Sequence, residues 1–73
     1  MTFEAILPLL KKGEKVIRRG FFGKERYIIL VEEKSFQGEE VLPYFLINVE
    51  DEGFAVYTPT VCDLLADDWE VVS

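Results

Sequence analysis

Between Val16 and Val31 the chain reads VIRRGFFGKERYIILV, and no other stretch constrains the fold as tightly. Two β-branched runs are separated by two glycines, Gly20 and Gly23, with Phe21 and Phe22 between them. Glycine tolerates the positive φ that tight turns require, so the pattern predicts two antiparallel strands joined by a short loop. A loop tip is ordinarily polar. This one holds adjacent phenylalanines flanked by Arg18, Arg19, Lys24 and Arg26. Either the rings fold back onto the core or another subunit, or they offer flat faces among cations to an anionic, ring-bearing ligand such as a nucleotide.

The remaining chain must complete a core around that hairpin with little to spare. Seventy-three residues make one small domain, residues 1–73, which buries only about 60–65% of its unfolded surface. Small domains often rely on disulfides or structural zinc, but this sequence has one cysteine, Cys62, and no histidine. Hydrophobic residues nevertheless make up 49% of the sequence and aromatic residues 14%, more apolar surface than so short a chain encloses readily. Association with further copies is the route to stability that this composition leaves.

Charge is divided along the chain. All eight Lys and Arg fall between Lys11 and Lys34, whereas residues 35–73 carry nine acidic groups and no basic one. The net charge of −6 argues against non-specific binding to DNA or to membrane surfaces, but leaves room for one anion in a local basic pocket. Met1-Thr2-Phe3-Glu4 lacks the basic start of a secretory signal, and the unpaired Cys62 suits a reducing cytoplasm.

Thr2 is an N-cap for a helix over 3–12, whose Phe3, Ile6, Leu7 and Leu10 form one apolar stripe. Gly13 closes that helix, and Pro8 is expected to kink it. Strands are predicted at 15–19 and 26–32. A polar turn follows at Glu32-Glu33-Lys34-Ser35, then a loop over Phe36–Glu40. The apolar run from Val41 narrows to a strand at 44–49 because Pro43 suits only a strand start or edge. Glu50-Asp51-Glu52-Gly53 turns the chain into a strand at 54–57. Thr60 and Asp63 approximate a capping box for a second short helix, and Trp69–Val72 alternates as a last strand. The order α-β-β-β-β-α-β makes this an α+β domain: a mainly antiparallel sheet, an N-terminal helix and a short helix before the last strand.

Catalytic groups are scarce. There is no histidine to act as a base near neutral pH and no Ser or Cys with an activating partner. Cys62 is followed by Asp63, which disfavours a thiolate, and reads as a small packed residue. The pairs Glu50/Glu52 and Asp67/Asp68 read as solvated turn carboxylates. At Thr58-Pro59-Thr60-Val61-Cys62-Asp63 the alternatives are ordinary helix capping and a polar site for an anion and for sugar hydroxyls.

Met1-Thr2-Phe3-Glu4-Ala5-Ile6, Leu10-Lys11-Lys12-Gly13, Val16 and Arg19-Gly20-Phe21-Phe22-Gly23-Lys24 together resemble the N-terminal signature of a small phage protein family. Leu42-Pro43-Tyr44 resembles its middle. Tyr57-Thr58-Pro59-Thr60 with Asp63-Leu64-Leu65-Ala66-Asp67-Asp68-Trp69-Glu70-Val71-Val72 resembles its C-terminal signature. The family is the second type of Thoeris anti-defence protein, phage signal sponges with anti-CRISPR-like relatives. The resemblance is weakest over 32–56, where this chain reads as having a shortened insertion.

That resemblance implies a non-catalytic protein, with no cofactor, acting in the cytoplasm of an infected bacterial host. It would sequester a cyclic ADP-ribose-type signal made by a TIR-domain enzyme, in pockets between the subunits of a homotetramer. Some members also hold cyclic oligonucleotides. Where the family loop reads Gly-Trp-Asn-Gly-Lys, this chain has Gly20-Phe21-Phe22-Gly23-Lys24, which keeps a stacking face at Phe21 and replaces a polar Asn by Phe22. Tyr57 stands for Trp and Thr60 for Ser. The expected ligand-binding set is Phe21, Phe22, Gly23, Lys24, Arg26, Thr58, Thr60 and Asp63, with aromatic rings on the base, cations (Arg18 and Arg19 among them) on phosphates, and Thr58, Thr60 and Asp63 on ribose hydroxyls. The alternative is an acidic protein-binding inhibitor of a bacterial defence nuclease, presenting residues 35–73 to a basic surface.

Overall fold

A computed structural model describes residues 1–32, 35–40 and 42–72. Its first element, α1 (Phe3–Lys11), starts where Thr2 accepts a hydrogen bond from the Ala5 amide, and it runs on through Pro8, which lies on its exposed side. Its end is a Schellman arrangement: Glu14 N–H donates to the Leu9 carbonyl and Gly13 N–H to that of Leu10, with Gly13 at φ +92°.

Five strands form one antiparallel sheet: β1 (Lys15–Arg18), β2 (Glu25–Val31), β5 (Tyr44–Val49), β6 (Gly53–Tyr57) and β7 (Trp69–Val72). Their order is β6-β5-β2-β1-β7, so the expected hairpin β1/β2 lies at the centre and the last strand returns beside the first. Between β2 and β5, β3 (Ser35–Phe36) and β4 (Glu39–Glu40) pair as a separate hairpin. This corrects the loop expected over Phe36–Glu40. Gln37 at φ 53° and Gly38 at φ 82° supply the two successive left-handed residues of a tight hairpin turn. The polar turn expected around Glu33 and Lys34, and the start of the apolar run at Val41, lie outside the described residues. The short helix α2 (Val61–Leu65) precedes β7, as expected.

The register sorts side chains onto two faces. On the inner face Val16, Ile28 and Trp69 meet Ile6 and Leu10 of α1, and these five are the fully buried core. Leu30, Phe45, Ile47 and Tyr57 extend it, and Phe3 sets its ring edge-on to both Phe45 and Trp69. The outer face carries Ile17, Tyr27, Ile29, Leu46, Phe54, Val56 and Val72, with Lys15, Asn48 and Glu70 among them. Both helices lie on the inner side, where α1 touches β1, β2, β7 and α2.

Candidate ligand-binding site

The polar centre of the molecule is Arg18, the last residue of β1, clamped between two carboxylates. Its Nη1 donates to Asp63 Oδ1 at 2.7 Å and its Nε to Asp68 Oδ1 at 2.8 Å. Asp63 is 6% exposed, and its other oxygen accepts from the Tyr57 hydroxyl at 2.6 Å and the Thr60 amide at 2.9 Å. The Thr60 hydroxyl accepts in return from the Asp63 amide, completing the capping box. Burial would raise the Asp63 carboxyl, but the bonds from Tyr57, Thr60 and Arg18 outweigh it and hold the group at about 2. Asp68 is also lowered, first by Arg18 and further by the Gly20 amide. Trp69 closes the knot by donating its indole N–H to the Asp63 carbonyl.

This knot fixes the Gly20–Lys24 loop. The Gly20 amide donates to Asp68 Oδ2 at 2.8 Å, and a Cβ on Gly20 would stand 2.8 Å from that oxygen, so a side chain there would push the Asp68 carboxylate out of its place between Gly20 and Arg18. Phe21 turns inward: half-buried, it packs edge-on to Trp69 at 6.0 Å between ring centroids, with the Arg18 guanidinium 5.7 Å from its own. Phe22 points the other way and is 98% exposed. Gly23 is exposed and its amide donates to Glu25. Lys24 reaches toward Asp51 at 3.7 Å, both side chains being well exposed.

The structure therefore brings Phe21, Thr60 and Asp63 to one knot, with Phe22 and Gly23 projecting from it. Thr58 is exposed on the segment between β6 and α2. Arg26 borders a different depression, of about 560 Å³, lined also by Gly13, Glu14, Lys15, Tyr27 and Val72. There the Lys15 ammonium lies 4.6 Å from the Tyr27 ring centroid. Among the cations expected to meet phosphates, Arg18 is a correction: two carboxylates already neutralise it. Asp68 corrects the reading of a merely solvated pair, since it holds both Arg18 and the loop. Cys62 is exposed rather than packed, because α2 turns the neighbouring Asp63 inward toward Arg18.

A model of the Thoeris anti-defense 2-like domain matches residues 1–72. The chain belongs to that family. It is 31% identical to Thoeris anti-defense 2 of Bacillus phage SP01, over all of this chain and 96% of that protein. That match runs over 85 positions against the 73 residues here, so the phage SP01 relative is the longer of the two. Membership in the Thoeris anti-defense 2-like family supports a phage role against Thoeris defence.

Sequence reasoning missed Arg18, Asp68 and Tyr57 as one polar unit. Arg18 lies 45 residues from Asp63 and 50 from Asp68, so no local pattern joins them. The one available signal was the shortage of partners: a strand-end arginine facing the sheet's inner side needs carboxylates, and the C-terminal segment is where they are dense.

Proposed function

We propose that this protein is a non-catalytic anti-defence sponge that sequesters a cyclic ADP-ribose-type immune signal inside the infected cell. The observation that carries the reading is Phe22: an aromatic ring 98% exposed, on a loop whose root is locked by Asp68, Arg18 and the Phe21–Trp69 contact. The loop is already ordered at its root, and the ring offers a stacking face worth about 1–3 kcal/mol per base. Arg19 and Lys24 supply cations on either side for a pyrophosphate, since their ion pairs, with Glu70 at 3.8 Å and Asp51 at 3.7 Å, are long and largely exposed. Family membership supports the anti-Thoeris role in which such capture would operate. The functional unit is a homo-oligomer, most simply four copies, because a sponge needs nanomolar binding, about −12 kcal/mol, and one shallow surface encloses too little of such a ligand.

The test is a filtrate experiment. Protein incubated with the product of a TIR-domain enzyme should deplete the signal from the filtrate and release it intact on heat denaturation, with no new species by chromatography. Signal consumed many times over per chain would make the protein an enzyme. A filtrate that stays active, with a nuclease co-purifying, would make it a protein-binding inhibitor instead.

A further inference from the structure

Asp68 holds three consecutive residues of the chain at once. Its carbonyl accepts from the Arg19 amide at 3.0 Å, its Oδ1 from Arg18 Nε at 2.8 Å and its Oδ2 from the Gly20 amide at 2.8 Å. The Phe21 amide then donates back to the Arg18 carbonyl at 3.2 Å, closing a β-turn over residues 18–21. The far end of the loop is fastened elsewhere. There the Gly23 amide donates to Glu25 Oε2 at 2.8 Å, and the Lys24 carbonyl accepts from the Glu50 amide at 2.9 Å. Phe22 stands between the two anchors with its ring in solvent. Its aim is therefore set by the direction in which the chain leaves Gly20.

The same carboxylate reaches the other half of the site through Arg18. Arg18 donates to Asp63 at 2.7 Å, and Asp63 accepts from the Thr60 amide at the start of α2. Asp68, Arg18 and Asp63 thus join the loop to the helix cap in one run of charge-assisted hydrogen bonds. We infer that Asp68 is a positioning residue for signal capture, acting through Gly20 and Arg18 to aim Phe22 and keep it in register with the Thr58–Thr60 segment. The inference rests on the capture proposed for this loop. The fold itself has other support: the bond from the Arg19 amide is to the backbone of residue 68, and Arg18 retains Asp63 when the Asp68 carboxylate is altered.

Asp68→Asn is the decisive variant. A carboxylate accepts on both oxygens, whereas an amide accepts on one and turns an NH2 donor toward the other partner, so either Arg18 or Gly20 loses its bond. Hydrogen exchange on the protein without ligand should speed up at amides 20–23 and stay unchanged in β2 and β5. Affinity for the nucleotide product of a TIR-domain enzyme, by calorimetry, should fall about tenfold, because the loop must then be ordered on binding. Gly20→Ala disturbs the same contact from the loop side, so the double variant should lose no more affinity than the worse single one. Ile6→Val, which lowers stability through the core, should bind as the wild type does. Unchanged loop exchange or unchanged affinity in Asp68→Asn, additive losses in the double variant, or an equal loss in Ile6→Val would each overturn the positioning role. A wild type that fails to bind the product would overturn capture instead, and loop exchange in Asp68→Asn would still decide whether Asp68 orders the loop.

Discussion

Phe21 and Phe22 are sequence neighbours with opposite surroundings, and substitutions at the two separate folding from binding. Phe21 packs on Trp69 and Arg18, so Phe21→Ala removes core contacts. A fully buried Phe→Ala costs about 3–5 kcal/mol; for this half-buried ring we expect about 2 kcal/mol. In a domain of this size that lowers the thermal midpoint by about 10 °C. Phe22→Ala removes a ring that touches solvent, so its melting curve should overlie the wild type. Its affinity for the signal should nonetheless fall about ten- to a hundredfold, measured by calorimetry. A Phe22→Ala protein that binds normally would place the stacking face elsewhere, and the Tyr27–Lys15–Arg26 depression is the next surface to examine.

At the scale of elements, helix ends were the most legible part of the sequence, because their signals are local. Thr2, Gly13 and the Thr60/Asp63 box each act within a few residues, and all three are in place. Thr60→Ala should cost about 1 kcal/mol, or about 4–8 °C in thermal midpoint, since α2 is short and its cap also orients Asp63. The five sheet strands were readable from their β-branched runs. The β3/β4 hairpin was not: Glu39-Glu40 has no apolar alternation, and Gln37 is an uncommon residue for a left-handed turn position. The candidate site was legible only as two separate patches, loop and helix cap. What joins them is Arg18 and Asp68, and pairings across 45 to 50 residues leave no periodic trace.

Across the whole molecule the Arg18 knot makes stability depend on acid. The Asp63 carboxyl lies at about 2 in the folded state and near 4 when unfolded. A lowered carboxylate stabilises the fold fully above its unfolded value and loses that contribution as pH falls through the folded one. The thermal midpoint should therefore hold from about pH 7 to 5 and drop between about 4 and 2, with Asp68 adding in the same direction. Asp63→Asn should flatten that drop and lower the midpoint at neutral pH, because Arg18 is left with Asp68 alone and the Tyr57 hydroxyl loses its carboxylate acceptor. The return of β7 beside β1 also has a kinetic side. Trp69 completes the core, and β1 gains its second neighbour only from residues 69–72, so the sheet closes through contacts spanning most of the chain. Such contacts pay their loop-closure entropy before any packing rewards it. Folding is then slow for so short a chain and nearly all-or-none. During synthesis Val16, Ile6 and Leu10 wait without their central partner until the final strand arrives, and a few residues trimmed from that strand should abolish the fold rather than loosen one edge.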